Sequence, residues 1–197
     1  ATATPSLAGT IQDSAFSCLS GHRTAVAGCI RSTHYLDRGI APYVNLYVAG
    51  SCGGYSSELQ SRANAEVAWG ARAINNSWGS TSGSQVPDAN SKFFDGIVIN
   101  QYRTVVFAAG NRGGAGCSQG TDGVVTNPAI AYNVIAVGNI DDRNTTITWD
   151  DVMSGCSSWK NPISSHGDRQ KPEVAAPGTS IATTSTSSPW IGANWSG

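Results

Sequence analysis

Charge is scarce in this chain: Asp, Glu, Lys and Arg make up only 13% of its 197 residues, and the net charge is -1. That balance offers no basic field for a polyanion, so nucleic acid is not an expected partner. Long apolar runs are missing as well. No stretch reaches the roughly 18 residues that a membrane helix needs, which excludes a helical span and a membrane partner. The opening residues ATATPSL have neither a basic start nor an apolar stretch of signal-peptide length, so any export signal is expected to have been removed. The five cysteines form no CxxC pair and no finger spacing, which excludes a zinc finger and a thioredoxin-like redox motif. Internal repeats, heptads and charge blocks are absent too.

What the chain has in quantity is Gly, Ser, Thr and Asn, the composition of a turn-rich secreted protein. Residues 1–197 suffice for one compact domain burying about 70% of its unfolded surface. An odd cysteine count permits two disulfides and leaves one thiol; Cys29, on an apolar helix face, is the expected buried free one. Cys117 and Cys156 lie in Gly/Ser-rich loops suited to a bridge, although connectivity does not follow from sequence. Sequons begin at Asn75, Asn144 and Asn194, and only Asn144, in DDRNTT, reads as an exposed loop.

Periodicity gives a coarse order of elements. Residues 1–21 read as loop, and a helix follows over 24–32 with Ala25, Val26, Cys29 and Ile30 on its apolar face. A strand is expected at 44–48. A long helix over 58–74 carries Leu59, Ala63, Val67 and Ala71 on one stripe, and NNSWG closes it as a short strand or turn. A further helix spans 90–100, and continuous apolar strands are expected at 104–109 and 133–137, with a third short one at 171–176. The tail from 183 to 197 shows no period. Strands alternating with helices describe an α/β fold: a doubly wound, mostly parallel sheet with helices on both faces. Ligand sites in such sheets lie beyond the carboxyl ends of the strands, where NNSWG, AAGNRG and GNIDDR fall.

Three stretches carry candidate chemistry. Ser20 is a plausible N-cap, so His22 falls in or before the first turn of its helix. The positive end of the dipole there disfavours imidazolium, as a general base requires; a capping or surface histidine is the plainer alternative. Asn111 lies between glycines after a buried strand, where its carboxamide suits an oxyanion hole, or else a turn. Ser77, Trp78 and Gly79 stand at a strand end and can pair with an extended peptide, Trp78 forming a pocket wall or else core.

Taken in order, HRTAVAGCI, GIAPYVNLY, INNSWGS, VVFAAGNRG, NVIAVGNID and KPEVAAPGTSI make the chain resemble the subtilisin-like serine proteases over almost its whole length. The family patterns I-N-x-S-x-G and A-A-G-N-x-G recur here, and H-G-T-x-V-A-G recurs except at its first glycine. The resemblance implies a three-layer subtilisin-like fold, incomplete at both ends, and a serine endopeptidase working through an acyl-enzyme. His22 would be the general base and Asn111 the oxyanion donor, the two converging on one groove. Ser77, Trp78 and Gly79 would line the peptide cleft, and Ala108, Ala109 and Gly110 the primary specificity pocket. A polypeptide substrate, a monomer, and secreted or extracytoplasmic location follow; no cofactor is expected, and structural calcium has no identifiable ligands.

Two triad members depart from the pattern. The family aspartate would lie a few residues before Ala1, and Asp13, in IQDSAF, lacks its glycine. GTSIA at 178–182 imitates the nucleophile segment, but Thr184 stands where proline is expected and no helix follows, whereas WSG at 195–197 resembles the approach to that segment. The stretch is therefore not expected to be active, or stably folded, by itself. Arg23 replaces a glycine beside His22. His34 and His166 read as surface loop residues, and Asp141, Asp142, Asp150 and Asp151 form no recognised metal motif. The rival reading is a noncatalytic subtilase-like module that binds a peptide or protein in the same cleft. An α/β-hydrolase is disfavoured because no G-x-S-x-G elbow occurs.

Overall fold

Alternating apolar residues and well-placed caps build nine strands and three helices in the computed structural model, which describes residues 4–15, 18, 20–163, 169–187 and 191–197, side chains 193 and 194 excepted. His166 and the side chain of Asn194 fall outside the described residues. The chain groups into two compact units, Ala1–Trp69 with Ser180–Ser196, and Gly70–Thr179 with Gly197.

In the first unit, β1 (Ile11–Gln12) runs parallel to β2 (Tyr47–Val48). Helix α1 (Gly21–Arg31) starts where expected: Ser20 is its N-cap, accepting the Arg23 N–H at 3.3 Å. The Cys18–Cys52 disulfide anchors the segment before it. Strands β8 (Ile181–Thr184) and β9 (Ile191–Trp195) form an antiparallel hairpin, although the sequence suggested no order in this tail. The pattern is hidden because the residues that β8 buries are polar. Thr183 Oγ1 donates to the Ala25 carbonyl at 2.8 Å and Thr184 Oγ1 to the Thr24 carbonyl at 2.5 Å, so the hydroxyls enter the interior fully bonded. Gly28 permits this approach, since a side chain there would overlap both threonine hydroxyls.

Cys29 is free, as expected, but exposed rather than buried. The face that α1 buries is set by Thr24, Ala25, Ala27 and Gly28, which leaves position 29 to the outside. Helix α2 (Ser56–Trp69) is shorter than expected. Gly70, at φ +100°, adopts the left-handed conformation that ends helices, and Ile74 belongs to the following strand.

Within α2, Glu66 is half-buried and pushed up to about 7, first by burial and then by the charge of Asp13. Arg62 of α2 pairs with Asp13 at 2.9 Å, and Tyr47 of β2 also meets Asp13. Because the folded state retains a proton that the unfolded chain releases, this group costs stability as pH rises through the window from 4.5 to about 7. Thermal unfolding of Glu66→Gln is therefore expected to lose less Tm than the unsubstituted chain between about pH 5 and pH 8, by at least about 2 °C. Parallel Tm profiles for the two proteins would show that Glu66 titrates normally.

The second unit carries the main sheet. Strands β3 (Ala73–Asn76), β4 (Thr104–Ala108), β5 (Ile135–Asp141) and β7 (Val174–Pro177) pair in parallel, while β6 (Val152–Met153) adds an antiparallel edge on β5. The observed architecture is thus α/β with a mostly parallel sheet. Helix α3 (Ala89–Gln101) begins at Asp88, whose side chain accepts the Ser91 N–H at 2.8 Å. It presents Phe94 and Ile97 to the interior, where they join Val105, Phe107 and Ile74, all at most 4% exposed. Their rings meet edge to face: Phe94 and Phe107 have centroids 4.9 Å apart. Expected strand 133–137 starts later and runs longer. Its end carries Asn139, whose N–H is held by Ser157 Oγ at 2.9 Å.

Candidate active site

The register of the parallel pair decides what stands at the sheet's carboxyl end. Asn76 of β3 lies opposite Phe107 of β4, so Ser77–Trp78–Gly79 and Ala109–Gly110–Asn111 leave the sheet side by side. Thr126, fully buried, fits between the two segments. Its N–H donates to the Ala109 carbonyl at 2.9 Å. Side chains at Gly79 or Gly110 would overlap it, and Gly110 also takes φ +108°, so glycine is required there twice over.

The seven expected residues of this unit therefore gather at adjacent strand tips, though not all with free groups. Ala109 is buried, its N–H donating to Val137 and its carbonyl accepting from Thr126. The Gly110 carbonyl accepts the Ser158 N–H at 2.9 Å. These backbone groups are therefore already engaged within the fold. Trp78 is half-buried: its ring packs edge-on against Phe94 and Phe107, and its Nε1–H donates to Asn76 Oδ1 at 2.9 Å. The ring packing is what the core reading expects, and the residue as a whole is only half-buried. Ser77 Oγ accepts from Asn75 Nδ2 at 3.1 Å.

Asn111 is half-buried and held by its backbone. Its N–H donates to Gln119 Oε1 at 2.5 Å, and its carbonyl accepts the Gln119 N–H at 3.1 Å. The carboxamide lies near the chain at Gly197: a side-chain carbon built there would lie 3.9 Å from Asn111 Nδ2. Gly197 is itself fixed by its N–H, which donates to the Gly178 carbonyl at 3.2 Å.

His22 belongs to the first unit. It occupies the second position of α1 and is exposed. Arg23 is drawn off to the side, its Nη2 donating to the Cys18 carbonyl at 3.0 Å, and burial pushes its guanidinium below the usual value. Asp13 has both oxygens engaged, Oδ1 by the Ala15 N–H and Oδ2 by Arg62. Ser180, at φ +56°, sits in a turn between β7 and β8, and a strand rather than a helix follows it. His34 is half-buried, accepting the Asp37 N–H at Nδ1. Asn144 is exposed, as expected, and so is Asn75. Cys117 is bridged to Cys156. Among the described residues, no group of three or more His, Cys, Asp or Glu side chains gathers to hold a metal ion.

Sequence reasoning missed the residues that brace Asn111. Arg112 forks onto Asp122, with Nε to Oδ1 and Nη2 to Oδ2 both at 2.6 Å, and its Nη1 reaches the Thr81 and Gln119 carbonyls. Partners ten residues apart across a loop leave no periodic signal.

Solved structures share this fold. A structure of the prenylagaramide maturation protease PagA is 23% identical with a TM-score of 0.70, covering 99% of this chain and 64% of that one. The self-cleaved protease domain of PatA is 22% identical with a TM-score of 0.72, covering 100% and 69%. MycP1 with its N-terminal propeptide removed is 21% identical with a TM-score of 0.60, covering 92% and 62%. This chain thus spans about two thirds of the length of each of these three proteins. No curated protein matches it. The subtilase family model matches residues 10–196, nearly the whole sequence, and the chain belongs to that family.

Proposed function

We propose that this chain carries the general base and the oxyanion donor of a subtilisin-like serine endopeptidase, secreted, monomeric and independent of any cofactor, that hydrolyses polypeptides. Its two disulfides fit an oxidising compartment. The observation that carries the reading is the Asn111 carboxamide near Gly197, in the stretch that resembles the approach to the family's nucleophile. A serine attacking a peptide carbonyl there loses its proton to His22, and the negative charge gathering on the carbonyl oxygen accepts the Asn111 Nδ2–H. His22 then returns the proton to the leaving amine, and water, deprotonated by the same ring, hydrolyses the acyl-enzyme. Ser77, Trp78 and Gly79 border the bound peptide, while Ala108, Ala109 and Gly110 wall the pocket for its side chain.

Ser180 is not the nucleophile in this reading, because the turn and strand around it supply no helix N-terminus. The test is a fluorophosphonate probe applied to the folded protease chain that contains these residues. Covalent labelling of one serine, abolished by peptide aldehyde competition, is the expected result. A chain that binds peptides yet is never labelled would be the noncatalytic module instead.

A further inference from the structure

The loop that follows Asn111 is braced far beyond what a surface turn needs. Arg112 is only 8% exposed, and its guanidinium is satisfied on every side by Asp122 and by the Thr81 and Gln119 carbonyls. Glycines 83 and 120 make room for it, since side chains there would overlap the guanidinium. The fork holds Asp122 at about 2, well below the usual carboxylate range, with the Arg112 hydrogen bonds as the largest cause. The loop is also pinned from outside by the Cys117–Cys156 disulfide, and the Gly113 N–H donates to the Cys156 carbonyl at 3.0 Å.

All of this restraint converges on one residue. Arg112 grips the carbonyl of Gln119, and Gln119 grips both backbone polar groups of Asn111, one through its side chain and one through its own N–H. With N–H and C=O held, the Cα–Cβ bond from which Asn111 projects its carboxamide is held as well. A donor aimed in advance spends no energy on reorientation as charge develops, and small misplacements of such groups cost rate steeply.

We propose that Gln119, locked in place by the Arg112–Asp122 fork, is a positioning residue that aims the Asn111 carboxamide at the developing oxyanion. The inference rests on the oxyanion role of Asn111, and a double-mutant cycle separates the two claims. Kinetics on a peptide substrate are measured for Gln119→Ala, Gln119→Glu, Asn111→Ala and Asn111→Ala/Gln119→Ala in the protease chain that contains these residues. Gln119→Ala is expected to lower kcat about tenfold with KM within about twofold. Gln119→Glu keeps an acceptor for the Asn111 N–H and is expected to restore most of kcat. In the Asn111→Ala background the Gln119→Ala change should cost nothing further, because there is no longer a carboxamide to aim.

An equal loss from Gln119→Ala in both backgrounds would reveal a general structural role and overturn the proposal, as would unchanged kcat in the single variant or a Gln119→Glu variant as slow as Gln119→Ala. Should Asn111→Ala itself turn over at the normal rate, the oxyanion reading fails first and the positioning role falls with it.

Discussion

Replacing His22 with alanine is expected to lower kcat by about 10⁴- to 10⁶-fold in the folded protease chain, with KM and Tm nearly unchanged. The loss is large because a serine hydroxyl is a poor nucleophile until its proton has somewhere to go, and the same imidazole must later protonate the leaving amine. Folding is spared because His22 is exposed on the first turn of α1. The cap at Ser20, the Thr183 and Thr184 hydroxyls on the helix carbonyls, and the Cys18–Cys52 bridge that hold α1 in place do not involve the ring. Steady-state kinetics on a peptide substrate, with Tm measured alongside, checks this. A variant within about tenfold of the parent rate would assign the base to another group.

Much of this was legible before any coordinates, and the reasons differ from residue to residue. The TVVFAA run reads as a covered strand because every side chain after Thr104 is apolar, and β4 duly buries Val105 and Phe107. Ser20 before a helical face reads as a cap because hydroxyls satisfy free N–H groups at helix starts. What stayed hidden depends on partners that sequence does not reveal. Thr183 and Thr184 look like surface residues until α1 offers carbonyls to them. The α2 stripe continues through Ala71 on paper, but Gly70 breaks the helix in practice. Cys29 looks buried when the apolar face is drawn through it; the helix instead turns its smallest residues inward so that a strand can approach closely. The candidate site divides the same way: the flanking glycines single out Asn111 in the sequence, whereas its Gln119 clamp joins groups that no spacing rule connects.

Asn111→Ala is expected to reduce kcat by about 100- to 1000-fold while leaving KM close to its original value. A side-chain amide that meets the carbonyl oxygen only once that oxygen carries charge contributes to the transition state and little to ground-state binding, so the change falls on kcat. The structure favours this split for a specific reason. Asn111 is secured through its backbone by Gln119, and neither bond involves the carboxamide, so truncating the side chain leaves the loop's bracing intact. The Arg112–Asp122 fork and the Cys117–Cys156 bridge also survive the substitution. Loss of stability is therefore not available as the cause of a slow variant, and Tm should stay within about 2 °C. Asn111→Asp sharpens the result: it keeps the size of the side chain but replaces a donor with an acceptor that carries charge, and should be at least as slow as Asn111→Ala. A rate near that of the parent in either variant would remove Asn111 from the chemistry and leave it a turn residue whose two backbone bonds are its whole role.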